Sequence, residues 1–172
     1  MATEIERKYL PKNNGWEALV TGTKLITQGY LINTKKRSLR IRSEDNSRYI
    51  LCYKSGSKGI SVGEYELVLW VWLGNFLLWT CGSKTLAKVR HYVPYGNHIF
   101  EIDVFEGKLF GLIIIEVELE REDEEVLLPD WVGKGISLLS HYKNSVLLRK
   151  GLPKRWPQDL VDGQNLDHTT NL

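Results

Sequence analysis

Glu4-Ile5-Glu6-Arg7-Lys8 places two carboxylates and an ammonium at alternate positions of what reads as a first strand. Side chains at i, i+2 and i+4 of a strand share one face, so Glu4, Glu6 and Lys8 point the same way. The same grammar recurs in Arg40/Arg42, Glu64/Glu66, Lys88/Arg90, Glu101/Asp103 and Glu116/Glu118. A large apolar or aromatic residue usually stands between the two charges. One such pair would carry little weight; six strands with them imply a sheet that keeps one face for charge.

Working outward, alternating stretches predict strands near 2–10, 24–33, 37–44, 47–54, 62–72, 84–94, 98–106 and 112–120. Turn signals fall at Glu44-Asp45-Asn46-Ser47, Ser55-Gly56-Ser57 and Pro94-Tyr95-Gly96-Asn97. Residues 73–82 are expected to form a short helix over a barrel rim. Residues 121–128 are expected to make one or two helical turns, with acids at the start. A C-terminal helix is expected over Ser137 to Lys150. The domain is expected to span 1–152, with 153–172 a polar tail, loose from 157 onward. Eight antiparallel strands joined by short turns favour a closed or nearly closed barrel. An open antiparallel sheet with one solvated face gives the same alternation.

The 172 residues fit one domain, and 42% hydrophobic with 26% charged residues suit a globular chain with a real core. A net charge of +2 gives no global basic field, so no nucleic acid partner is expected. Cys52 and Cys81 lack metal-ligand spacing; a single disulfide is possible, and a reduced, cytoplasmic protein is the favoured reading. Charges at residues 4, 6, 7 and 8 leave no visible signal peptide. The longest apolar stretch, Val68 to Trp79, is broken by Gly74-Asn75 and falls short of the roughly 20 residues of a spanning helix. It packs on the barrel wall or else offers a homodimer surface or a membrane-facing patch.

The charge face holds eight acids, Glu4, Glu6, Glu64, Glu66, Glu101, Asp103, Glu116 and Glu118. It holds six bases, Lys8, Arg40, Arg42, Lys54, Lys88 and Arg90. The excess of two negative charges would be costly in an interior without ligands. Carboxylate oxygens are hard donors suited to Mg²⁺ or Mn²⁺. Arginine forks bind phosphate oxygens in pairs and lysine supplies a point charge. No Cys/His cluster offers a zinc site, and no phosphate-cradling glycine loop or Ser-His-Asp set stands out. His91, His98 and His141 read as strand-end or surface histidines, and His168 falls in the tail.

These residues resemble the CYTH superfamily, the triphosphate tunnel metalloenzymes. Glu4-Ile5-Glu6-Arg7-Lys8 matches the family's ExExK signature. In order follow Gln28-Gly29-Tyr30-Leu31, Leu39-Arg40-Ile41-Arg42, Lys54, Glu64-Tyr65-Glu66, and Lys88-Val89-Arg90 with Tyr92. Phe100 to Phe105 with Gly107, Ile115 to Leu119, and Tyr142-Lys143-Asn144 complete the series, which covers roughly 3–148. The resemblance implies a mainly β (α+β) fold, an eight-stranded antiparallel closed β-barrel with a polar tunnel and a few flanking helices. It implies divalent-metal hydrolysis or cyclisation of small-molecule triphosphates, and the compact layout most resembles the inorganic triphosphatases. The alternatives on the same scaffold are a nucleoside or thiamine triphosphatase, or a class IV adenylate cyclase; a non-catalytic polyphosphate-binding module is a third class.

Carried over, Lys8, Arg40, Arg42, Lys54, Lys88 and Arg90 are expected to hold the triphosphate. Where the family often has an acid before the Tyr-x-Asn motif, this chain has Leu138-Leu139-Ser140, leaving Lys143 to contribute from that segment. Glu4, Glu6, Glu116 and Glu118 are expected to hold a first Mg²⁺ or Mn²⁺. Asp103, with Glu64, Glu66 or Glu101, is expected to support a second ion or its waters. Lys8, Tyr30 and Lys54 are the catalytic candidates, with Tyr30 beside Lys54 as proton acceptor.

Overall fold

Alternating charge and hydrophobe along the chain folds into one antiparallel sheet that curls until its first strand meets its fifth. The computed structural model describes residues 2–34, 37–58 and 60–153. Its strands are β1 (Ala2–Pro11), β2 (Gly22–Asn33), β3 (Arg37–Glu44), β4 (Arg48–Lys58), β5 (Ser61–Leu69), β6 (Thr85–Tyr95), β7 (His98–Phe105), β8 (Ile113–Glu118) and β9 (Val132–Gly135). Helix α1 (Val71–Cys81) follows β5, and α2 (Asn144–Lys150) comes last.

Neighbours run β5-β4-β3-β2-β6-β7-β8-β1-β9, and β1 also pairs with β5. Strand β1 closes the barrel by changing partners along its length. Ala2–Ile5 pair with Ser61–Glu64 of β5, Glu6–Tyr9 pair with β8, and Tyr9 to Pro11 meet β9. The closed, eight-stranded reading therefore holds, with β9 as a short addition.

Because charge fills the inside, much of the apolar core lies outside the barrel wall and needs cover. Helix α1 covers β2, β3 and β4, packing Cys81, Leu77 and Leu78 with Ile41 and Tyr49. Gly74 permits that contact: a Cβ there would lie 2.2 Å from Tyr49. Tyr49 Oη then donates to Asn75 Oδ1 at 2.5 Å. On the opposite wall Trp16 and Trp131 cover Phe100, Ile102, Ile115 and Val117, with Phe100 and Trp131 edge-to-face at 5.3 Å. At one end the inward residues become apolar, and Tyr30, Leu86, Phe105 and Ile114 pack with Tyr142 and Leu147 as a plug.

Several expectations require correction. The strand expected over 62–72 stops at Leu69 because α1 claims the residues from Val71. Ser55-Gly56-Ser57 is no turn; β4 runs through it with a register shift between Ser55 and Ser57. Residues 121–128 hold no helix. There Glu124 accepts the Glu120 N–H at 2.8 Å and meets His98 at 2.8 Å, while Arg7 donates to the Glu122 carbonyl, so side chains hold the loop. The C-terminal helix is shorter than expected, since Lys143 is extended and α2 begins only at Asn144. The turn at Asp45-Asn46 appears as read, both residues with positive φ, the hairpin geometry that matches strand twist. The tail from 154 onward lies outside the described residues. Among the described residues no helix is long and apolar enough to cross a membrane.

Candidate active site

Strand register decides which charges meet. Glu6 faces Glu118 and Lys8 faces Glu116 across β1/β8; Arg90 faces Asp103 across β6/β7; Lys54 faces Glu64 across β4/β5. The result is a tunnel cavity of about 250 Å³ lined by thirteen of the fourteen expected charges. Asp103 is the exception: it lies behind the lining, fully buried. Tyr30 and Lys143 line an adjoining cavity of about 660 Å³. Glu6, Lys8, Arg40, Lys54 and Asn144 border both spaces and so mark their junction.

One wall is a continuous charge relay. Arg90 grips Asp103 with Nε to Oδ1 at 2.7 Å and Nη2 to Oδ2 at 2.8 Å, and Nη2 also reaches Glu116 at 2.8 Å. It also pairs with Glu101, and Lys88 pairs with Asp103. Lys8 bridges Glu116 and, at 2.9 Å, Glu6. Burial alone would lower Lys8, but Glu116 and Glu6 overcome it and hold the ammonium charged. Burial would raise Glu116, yet Lys8, Lys88 and Arg90 keep it well below the usual carboxylate range. Burial, aided by Arg90, wins at Lys88 and pulls it down despite Asp103. Both Asp103 oxygens are engaged by the Lys88 and Arg90 cations.

The facing wall keeps a donor to spare. Arg40 pairs with Glu64 at 3.3 Å and Arg42 with Glu66 at 2.8 Å. Lys54 pairs with Glu4 and, at 3.4 Å, with Glu64. The Nε atom of Arg40 is buried without a hydrogen-bond partner, while Arg42 Nε lies 3.4 Å from Glu44 Oε1. A buried N–H left unmade is costly, so the Arg40 donor is available to an incoming anion.

Two acidic clusters differ in what they can hold. Glu118 has no cationic partner among the described residues. Its carboxyl is pushed up by burial and then by Glu4 and Glu6. Carboxylate oxygens are hard donors of the kind a divalent cation takes, but those of Glu4, Glu6 and Glu118 do not all come within 4.8 Å of one another. Among the described residues only Cys52, Glu64 and Glu66 bring three such donor atoms within 4.8 Å of one another. There the thiol is soft and Arg40 and Arg42 already hold the carboxylates, so that cluster suits a hard cation poorly.

Tyr30 is buried, and Gln28 Nε2 donates to its hydroxyl at 2.7 Å. Burial raises its pKa above 10.0, opposed by Arg40 and then Lys8, the cations that act on it in place of the expected Lys54. Sequence reading gave no site role to Gln28, Glu44, Tyr92 and Asn144, all on the tunnel lining. The signal was present for three of them: Gln28 lies two residues before Tyr30, Glu44 two after Arg42, and Tyr92 two after Arg90. Glu44 collects Lys24, Arg42 and Arg48 at 3.1–3.4 Å, and they pull it down although burial would raise it.

The CYTH domain model matches residues 2–147. The chain belongs to the CYTH family. It is 33% identical over 150 residues to an inorganic triphosphatase of Acetivibrio thermocellus, covering 87% of this chain and 95% of that protein. It is 34% identical over 152 residues to an inorganic triphosphatase of Nitrosomonas europaea, covering 84% and 96%. The crystal structure of an inorganic triphosphatase superposes with a TM-score of 0.61 at 30% identity, covering 86% of this chain and 95% of that one. In this CYTH chain the family's signature charges thus lie on an enclosed tunnel wall, with the acids of β1 and β8 opposite the arginines of β3.

Proposed function

We propose that this chain hydrolyses inorganic tripolyphosphate to pyrophosphate and phosphate with Mg²⁺ or Mn²⁺. The observation that carries this reading is the buried, unpartnered Nε donor of Arg40, on a closed tunnel lining that it shares with Glu4, Glu6 and Glu118. Arg40, Arg42, Lys54 and Lys8 take the phosphate oxygens, exchanging their carboxylate partners for substrate. Lys88 and Arg90 stay anchored on Asp103 and hold the positive potential of the far wall. Lys143 adds its charge from the adjoining cavity. Glu4, Glu6 and Glu118 would hold the cation, which when bound neutralises charge on the transferring group. The tunnel walls fix the chain of phosphates in line and exclude bulk water, so positioning and electrostatics supply the catalysis.

Tyr30 is the proposed proton acceptor, held by the Gln28 amide. Its raised pKa sets the sign of the pH dependence: below that pKa the phenolate fraction rises tenfold per unit, so kcat should climb through the alkaline range. Tyr30→Phe should flatten that rise and cost about 10²-fold in kcat, the low end for general-base catalysis. An unchanged pH profile with normal turnover removes the base role.

The adjoining 660 Å³ cavity, bordered by Ile136, Leu139 and Tyr142, has room for an organic group and supports a nucleoside or thiamine triphosphate as the second reading. Phosphate release from tripolyphosphate, ATP and thiamine triphosphate under Mg²⁺ separates the two. Preference for tripolyphosphate supports the first; preference for an organic triphosphate, cyclic AMP formation, or binding without product each replaces it. Two free buried thiols suit a reducing compartment, and the cytoplasm is the proposed location.

A further inference from the structure

The cavity beside the tunnel has a buried floor and an exposed rim. Tyr30, Ile136 and Tyr142 on its lining are buried, whereas Thr34, Arg37 and Lys143 are exposed. The cavity therefore opens to solvent at that rim. At its inner end it shares Lys8, Arg40 and Lys54, the cations assigned to phosphate, with the tunnel itself.

The two spaces differ in the sign of their charge. Lys8, Arg37, Arg40, Lys54 and Lys143 line the cavity against one acid, Glu6. The part of the tunnel lining that the cavity does not share carries seven acids against three bases. A cleft lined by one sign of charge focuses its field between low-dielectric walls and speeds capture of an oppositely charged ligand by about 10- to 10³-fold. A polyanion is thus drawn to the cavity and repelled by the acid-rich remainder of the tunnel.

Arg37 is the base in this cavity that the reaction does not otherwise use. It opens β3 and lies three residues before Arg40, off the period-two face that lines the tunnel, so alternation along the strand does not single it out. Among the described residues no carboxylate pairs with its guanidinium, whereas Lys8, Arg40 and Lys54 each hold one. Its charge is therefore not cancelled locally. We propose that this cavity is the entrance through which a condensed phosphate reaches the tunnel, with Arg37 capturing it at the rim. The choice of tripolyphosphate as the captured anion rests on the proposed hydrolysis.

Arg37→Glu should lower kcat/KM for tripolyphosphate about tenfold at an ionic strength of about 0.01 M, where charges act over roughly 30 Å, with kcat unchanged. The loss should nearly vanish at about 1 M, where they act over roughly 3 Å. Arg37→Gln removes one unit of charge where Arg37→Glu changes two, so its loss should be about threefold. Arg121→Glu makes the full reversal on a side chain that is 74% exposed and lies outside both cavities, and should leave kcat/KM within about twofold of the wild type. Calorimetric titration of metal-free protein with tripolyphosphate gives a readout without turnover, and the dissociation constant should rise in the order wild type, Arg37→Gln, Arg37→Glu. That order in a protein that releases no phosphate from tripolyphosphate upholds the entrance while the hydrolase reading fails. Wild-type kcat/KM in both Arg37 variants at low salt overturns the entrance. So does a fall in kcat with KM unchanged, or an equal loss in Arg121→Glu.

Discussion

Glu4→Gln should leave the barrel folded and lower Mg²⁺-dependent phosphate release by about 10³-fold, the loss expected when several kcal/mol of metal stabilisation is removed. The physical ground is that Glu4, Glu6 and Glu118 share the tunnel lining and repel one another. Burial and then the first two carboxylates push Glu118 upward, a repulsion that a bound cation would relieve. The amide keeps the shape of Glu4 and removes one hard, charged donor. The fold should tolerate it, because the Gln amide oxygen can still accept from Lys54 and Lys54 keeps Glu64 at 3.4 Å. Mn²⁺ titration followed by electron paramagnetic resonance gives a readout independent of turnover, and affinity should fall with activity. Full activity, or full loss of activity with unchanged Mn²⁺ affinity, contradicts the assignment.

Asp103→Ala should act on stability first. Asp103 is fully buried and anchors both Lys88 and Arg90. Removing one partner of a buried ion pair costs about 3–5 kcal/mol, because the other charge stays behind unpaired. For a chain of this size that corresponds to a Tm lower by roughly 6–20 °C. Arg90 keeps Glu116 and Glu101, so Lys88 bears most of the loss. The pH dependence identifies it. Burial already holds Lys88 below 10.5 in the folded protein, and Asp103 is one of the groups opposing that fall. Without Asp103 the folded-state pKa drops further. Between that pKa and 10.5 the unfolded chain binds a proton that the folded chain releases, so stability rises with pH. The deficit of the variant should therefore shrink as pH increases towards 10.5, in a denaturant melt series. A deficit independent of pH would point to a cavity effect alone.

Much of the site was legible because a tunnel imposes period two on its lining. Every strand that contributes charges does so at alternate positions, and the strand bounds were read to within a few residues at most ends. Closure was not legible from alternation, since an open solvated sheet writes the same pattern; it follows from β1 pairing with β8 and β5 in turn. Strand β9 escaped because Val132-Gly133-Lys134-Gly135 is short and carries little hydrophobic contrast. The turn read at Ser55-Gly56-Ser57 shows glycine serving a bulge within a strand. Which acid meets which base also lay beyond the sequence. It depends on the register of every strand pair, so the convergence of Lys88 and Arg90 on Asp103 appears only in three dimensions.

Crystals grown with Mn²⁺ and tripolyphosphate, measured at the manganese absorption edge, test the central claim most directly. The account expects an anomalous peak among Glu4, Glu6 and Glu118, with phosphate density against Arg40 and Arg42 inside the tunnel. Manganese and phosphate bound only on the outer surface, beside a tunnel whose charges stay paired with one another, would contradict it.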